Sequence, residues 1–238
     1  MKIEIDINFD FRSDTPSNKD IDAHSPTLRR YHKYLWSKDL PNGTEFELDD
    51  NTPKAYLHHK SDLGEFFLSS DAITHSYRHV KKMAHIISQV PKEKVESLYK
   101  KGCTIGAYII FPSNKIDNKM TINGARGINA KIKDRFDLTL ECVHLFYAGK
   151  TSPLSDTLHR YSNFFNLFVN FKGYVEFFLL QDLVSDDFST VKFHLPFNSF
   201  EDNPLPDSVD KYLFYRERTI DFVAARNQRI QDNLDSKG

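Results

Sequence analysis

DFRSDTPSNKDIDAHSPTLRRYHKYLW, residues 10–36, changes character twice within one short stretch. Ahead of it, Ile3, Ile5, Ile7, Phe9 and Phe11 alternate with polar residues, a period of two that predicts a strand with one buried face. A polar loop follows that holds Asp14, Asp20, Asp22 and His24 and has almost nothing to bury. Ser25-Pro26 closes it. A hydroxyl N-cap with proline at the first helical position predicts a helix start, and Leu28, Tyr31, Leu35 and Trp36 then share a face. Strand, acidic loop and helix N-terminus form an arrangement that builds sites, because free N–H groups and a positive dipole end gather there. Asp and Ser also collect in loops and caps on their own account.

Composition narrows the classes. At 238 residues the chain is long enough to bury a sizeable core. Its 20 Phe and 11 Tyr predict that this core is bulky and aromatic. A formal net charge of −1 excludes a global basic field, so nucleic-acid binding would need a local patch. Two cysteines, Cys103 and Cys142, give neither a disulfide framework nor a metal-ligand spacing. Apolar runs stay far short of the roughly 18 residues of a spanning helix, and the opening residues lack the apolar region of a signal peptide. The expectation is a cytoplasmic protein with no membrane partner, metal or cofactor.

Working outward, residues 44–69 alternate loosely and predict short strands, with His58-His59-Lys60-Ser61 among them and Glu65 close behind. Adjacent histidines on a strand point to opposite faces and do not chelate one ion together. Ser70-Asp71 is predicted to cap a helix through Val90, since Ile73, Tyr77, Val80, Ala84 and Ile87 recur at helical spacing. His75 and His79 stand four apart on it without the Glu-x-x-His pattern or nearby cysteine of a zinc set. A solvated helix is expected from Pro91 to Gly102. Residues 103–111 predict a buried strand and 120–122 its returning partner. The turn Asn123-Gly124-Ala125-Arg126-Gly127 then lets backbone approach an anion, with Arg126 as a bidentate donor.

From Lys133 onward the pattern is helical. Helices are predicted at 136–147 with Gly149 as the stop, and after Ser152-Pro153. Two more are predicted over 174–184 and over 208–234, the last rich in arginine (Arg216, Arg218, Arg226, Arg229), with an edge strand at 191–195. The sum is a single α+β domain over residues 1–238, α/β-like, with a small central mixed sheet from the first half and a helix-rich second half.

Three polar clusters end or follow expected strands: the Asp14–His24 loop, the His58–Glu65 segment and the Asn123–Arg126 turn. Carboxylates with a histidine and an arginine suit hydrolysis at a carbon that bears a leaving group. Gly-x-Ser-x-Gly, P-loop, His-Glu-x-x-His and Cys-x-x-Cys patterns are all missing from the sequence.

Over its whole length the chain resembles a bacterial domain family of unknown function, which names no activity. Two short motifs resemble the uracil and mismatch DNA glycosylase superfamily. Asp14-Thr15-Pro16, with His24-Ser25-Pro26 running into Trp36, looks similar to that superfamily's first motif. Ser152-Pro153-Leu154-Ser155, followed by His159-Arg160 and Phe164-Phe165, looks like its second, a His-Pro-Ser-Pro-Leu-Ser loop that grips DNA. The sequence departs where Lys150 and Thr151 replace His-Pro, where the first loop lacks its glycine, and where a helix precedes the second motif.

The resemblance implies an enzyme that flips a nucleotide out of DNA and hydrolyses its N-glycosidic bond, leaving an abasic site. Asp20 or Asp22, with Asp14 beside them, would orient the water. Arg29, Arg30 and Lys150 would contact phosphates, and His24, His58, Lys60, Asn123, Arg126 and Ser152 would complete the surface facing substrate and DNA. A roomy polar loop would suit a bulky modified base, such as glucosylated cytosine of phage DNA, and an antiviral role would follow from that substrate. Two other classes compete: a metal-dependent nuclease using Asp14, Asp20, Asp22 and Glu65, and a non-enzymatic module that binds nucleic acid or protein through the arginine-rich last helix.

Overall fold

Strands come from the first half of the chain and helices dominate the second in the computed structural model, which describes residues 4–236. This is an α+β fold. A short ribbon pairs β1 (Lys38–Asp39) with β2 (Glu45–Phe46), and a three-stranded sheet runs β3 (Leu57–Ser61), β4 (Gly64–Ala72), β5 (Tyr108–Pro112) with β4 in the middle. Every pairing is antiparallel, with His58 opposite Phe67 and Asp71 opposite Ile109, where a mixed sheet was expected. The helices are α1 (Ile21–His24), α2 (Pro26–Trp36), α3 (Ala84–Ile87), α4 (Lys92–Lys101), α5 (Ile122–Ile128), α6 (Phe136–Tyr147), α7 (Ser155–Arg160), α8 (Ser162–Asn166), α9 (Phe171–Phe177) and α10 (Val209–Asp235). Among the described residues, none of them is long and apolar enough to cross a membrane.

The capping signals work as chemistry predicts. Ser25 Oγ accepts from Leu28 N–H at 3.1 Å with Pro26 at the first helical position, and Leu28, Tyr31, His32, Leu35 and Trp36 are buried. At the other end of α6, Gly149 takes φ +66° and Lys150 N–H reaches back to Leu145 O at 2.8 Å. Ser208 Oγ accepts from Lys211 N–H at 3.2 Å and opens α10.

The second-half helices close over an aromatic cluster. Phe168, Tyr174, Phe177 and Phe178 pack with ring centroids 5.0–5.4 Å apart, and Trp36 of α2 lies 5.3 Å from Phe178. Arg226 of α10 enters from the other side, fully buried. Its Nε and Nη2 donate to Phe178 O and its Nη1 to Gly106 O and Tyr108 O, at 2.8–3.1 Å. Gly106 N–H donates to Asn227 Oδ1 at 2.6 Å, and a Cβ on Gly106 would sit 2.5 Å from Val223 O. Sheet, aromatic cluster and last helix are thereby tied at one point.

Several expectations are corrected. The alternating N-terminal run is not a strand: Asp6 turns the chain by accepting from Asn8 N–H and Phe9 N–H, and Phe11 enters a 3-10 turn (Phe11–Ser13). Ile5 and Phe11 are buried all the same, while Ile3 lies outside the described residues. The helix expected from Ser70 to Val90 is instead the end of β4. Ser70 and Asp71 pair with Ile110 and Ile109, Ile73 N–H bonds Ala107 O, Tyr77 takes φ +58°, and only Ala84–Ile87 is α-helical. Sheet pairing overrides the helical spacing there. Residues 120–122 do not return as a strand, because Thr121 caps α5 by accepting from Gly124 N–H.

Smaller departures follow the same logic. The 103–111 strand begins only at Tyr108, after a 3-10 turn over Ile105–Ala107. The helix after Ser152 breaks at Tyr161, and the one expected over 174–184 ends at Phe177, with Leu179 at φ +55°. The 191–195 edge is one bridge, Val184 to Val191. The arginine-rich face of α10 is mostly not a solvated face. Arg216 and Arg226 are buried, Arg229 is paired with Asp182, and Arg218 lies over the Phe214 ring.

Candidate functional site

Two elements bring carboxylates together. The one-turn helix α1 packs on β4, and Asp22 Oδ2 accepts from Ala72 N–H at 3.2 Å, at the strand's end. The neighbouring Asp71 is held by Arg126 Nη1, which also bonds Ala72 O and pairs with Asp134 Oδ1 at 3.2 Å. The rest of the Arg126 guanidinium donates to Thr139 Oγ1 and Asp134 O, and His75 Nδ1 lies 3.4 Å from Asp134 Oδ2. A chain of ionisable groups therefore runs Asp22, Asp71, Arg126, Asp134, His75.

Burial sets the protonation of this chain. It pushes Asp22 up to about 7, helped by the Asp71 charge and opposed by the Ala72 N–H. Burial likewise lifts Asp71 to about 6 even though Arg126 pulls the other way. It lowers His75, against the pull of Asp134. A carboxyl that titrates near neutrality and borders a cleft suits proton transfer or charge stabilisation.

Asp22 borders two clefts at once. The first, about 270 Å³, is walled by Lys19, Asp20, His75, Arg78, His79, Tyr99 and Tyr108. Arg78 lies 3.7 Å over the Tyr99 ring, and its Nε is buried without a hydrogen-bond partner. The second cleft, about 320 Å³, is walled by Ala23, Arg29, Lys54, Ala55, Tyr56, Ser69 and Ser70. Asp22 stands at the junction.

The residues singled out in the sequence fall into three groups. Asp22 is at the centre and Asp20 is exposed on the rim of the first cleft, with no capping bond to α1. Arg29 lines the second cleft with its guanidinium donating to the carbonyls of Asp50, Ala55 and Tyr56. Asn123 braces the back of that cleft, with Nδ2 3.4 Å from Ser69 Oγ and Ser70 O. Arg126 was expected to meet an external anion from a turn. It is instead fully buried in α5, and the anions it holds are Asp71 and Asp134.

A second group serves the scaffold. Asp14 accepts from Ser25 Oγ at 2.7 Å and from Thr27 N–H at 3.0 Å, a further cap on α2, and does not wall either cleft. His24 is exposed with Nδ1 on Asp20 O, and Arg30 lies over the Tyr31 ring on the outer side of α2. The third group is remote. His58 and Lys60 meet Glu65 at 3.0 and 3.6 Å beside a separate depression. Glu65 is six residues from Asp71 along β4, roughly 20 Å at strand rise. Lys150 is exposed beyond α6 and Ser152 turns into α7, and neither walls the two clefts. The first and third polar clusters of the sequence therefore meet, and the second stands apart. Asp14, Asp20, Asp22 and Glu65 do not converge, and among the described residues no group of three or more His, Cys, Asp or Glu side chains is arranged to hold a metal ion.

Sequence reasoning missed Asp71, Tyr56, Ser70 and His32. Asp71 was hidden by its reading as part of a helix cap, and Ser70 with it. His32 lies on the buried face of α2, four residues before Trp36, and that spacing was the available signal.

A protein-family model described as a family of unknown function (DUF6994) matches residues 5–230 of the chain. No curated protein and no solved structure matches it.

Proposed function

The chain belongs to that family of unknown function, and we propose from its clefts that it is a hydrolase of N-glycosidic bonds, acting on a base in DNA and leaving an abasic site. The observation that carries the proposal is the place of Asp22, at the junction of the two clefts with Asp71 behind it. A nucleotide laid across that junction sets its phosphate against Arg78, Lys19 and His79 and its base beside Tyr56 and Ser70. The glycosidic carbon then rests on Asp22. As a carboxylate, Asp22 orients the attacking water and stabilises the oxocarbenium-like centre while the base departs. Arg78, stacked on Tyr99 in the wall of the first cleft, supplies the cation for the phosphate.

The two motifs that resemble DNA glycosylases do not support this reading, since Asp14 caps a helix and Ser152 lies outside the clefts. The carboxylate junction does. The second cleft opens beside exposed Lys54, which leaves room for a substituent on the base. Glucosylated cytosine of phage DNA is therefore the first substrate to test, and an antiviral role goes with it.

The test incubates the purified protein, in excess chelator, with plain and with glucosyl-hydroxymethylated phage DNA, and scores strand breaks before and after alkali. The expected result is alkali-dependent breakage of the modified DNA, lost in Asp22→Asn. Breaks that appear only when Mg²⁺ replaces the chelator, and that need no alkali, would move the cleft to a nuclease, and no breaks under either condition would refute hydrolysis.

A further inference from the structure

His32 and Ser70 form a buried pair that invites the wrong conclusion. His32 Nε2 lies 3.0 Å from Ser70 Oγ, the reach of a serine nucleophile and its base. Trp36 decides otherwise. Its Nε1–H, which only donates, points at His32 Nδ1 from 2.9 Å. His32 Nδ1 is therefore the acceptor, the ring is neutral, and the remaining ring proton sits on Nε2 and goes to Ser70 Oγ. Complete burial supports this state by driving the His32 pKa down to about 3. An imidazole that donates to a serine has no lone pair left to take the serine's proton. Ser70 is not an activated nucleophile.

The same assignment fixes where the Ser70 proton goes. Ser70 Oγ receives one from His32, so its own hydroxyl hydrogen points away from α2, toward the second cleft that Ser70 lines. Across that cleft stands the Tyr56 hydroxyl, itself buried and near enough to Ser70 for the two to share a hydrogen bond. Between them the two hydroxyls have two protons, and at most one can be absorbed by the other oxygen. At least one O–H donor is left over to face the cleft, which Asp22 also lines.

Resting on the nucleobase reading of this cleft, we infer that Ser70 and Tyr56 form a subsite for a carbonyl group of a planar heterocycle, with the Trp36–His32 pair fixing Ser70 as donor. The geometry favours an acceptor with two lone pairs, which a ring C=O has, and disfavours an exocyclic amine, which would set donor against donor. Every pyrimidine base and every 6-oxopurine presents such a carbonyl, and adenine does not.

Binding rather than turnover tests this. Cytosine and 4-aminopyrimidine, the same ring without its 2-carbonyl, are titrated into isotopically labelled protein and followed by chemical shift. Cytosine is expected to bind about tenfold tighter, the value of one or two uncharged hydrogen bonds. That preference should collapse in Ser70→Ala and again in Tyr56→Phe, which removes one atom and no packing, and should persist in Lys150→Ala, which lies outside both clefts. Equal affinity for the two rings, no binding of cytosine, or a preference unchanged in both variants would overturn the subsite. Selective binding without abasic-site formation would keep the subsite and discard the hydrolase, so the two readings fail separately.

Discussion

Replacing Asp22 by Asn should make the protein more stable while removing its activity, by an amount that depends on pH. In the unfolded chain this carboxyl ionises near its ordinary value of 3.8, and in the folded chain near 7. Between those values the unfolded state gives up its proton first, so the native state loses stability as pH rises; above 7 the loss is constant. Converting the difference at 1.36 kcal/mol per tenfold gives a cost of about 4 kcal/mol at pH 8 and about 1.5–2 kcal/mol at pH 5. Asn keeps an oxygen for the Ala72 N–H, 3.2 Å away, and has no charge to bury. Urea unfolding of wild type and variant at pH 5 and pH 8 measures the difference, with other titrating groups common to both proteins. A stabilisation larger at pH 8 by about 2.5 kcal/mol is expected. An unchanged or lower stability at pH 8 would show that Asp22 is not desolvated as described, and the argument for its role at the junction would fall with it. Sites that trade stability for chemistry behave in this way.

Other perturbations separate scaffold from site. Base excision should rise with pH and level off above about 7, following ionisation of Asp22, in a rate profile of abasic-site formation; a profile flat from pH 5 to 9 would contradict that role. Arg126→Ala removes a fully buried cation and leaves the half-buried Asp71 and Asp134 side by side without it, and should cost about 3 kcal/mol in chemical denaturation. Gly106→Ala drives a methyl into Val223 O and should cost about 1–3 kcal/mol or more, read as a lowered urea midpoint. Asp14→Ala removes one cap from α2 and should cost about 1 kcal/mol while leaving activity at wild-type level; loss of activity in a folded Asp14→Ala protein would return that residue to the catalytic set.

What the sequence made legible follows from which interactions are local. The Ser25-Pro26 and Ser208 caps, the Pro91–Gly102 helix and the Gly149 stop all rest on groups a few residues apart, and each stands within a residue or two of its expected place. Ser70–Val90 misled because Ile73, Tyr77 and Val80 fall at helical spacing while the pairing of Ser70 and Asp71 with Ile110 and Ile109 is 38 or more residues away. Gly124 and Gly127 made α5 look like a turn, although neither glycine takes a positive φ. At the site, Asp22 and Arg126 were both visible as polar residues. Their meeting was not, because it runs through Asp71, and only the end of β4 brings that residue between them.

Arg226 also bears on how the chain is made. The carbonyls of Gly106, Tyr108 and Phe178 find their donor on a helix synthesised long after them. While α10 is still inside the ribosome, β5 and the aromatic cluster can gather, but three acceptors at their junction stay open to water and keep that seam wet. The emerging segment would then be held by chaperones or sampled by proteases until the last helix arrives. Its docking closes the molecule in one late, cooperative step, so a fragment that stops before residue 226 should behave as a loosened, protease-sensitive collapsed chain rather than a smaller version of the protein.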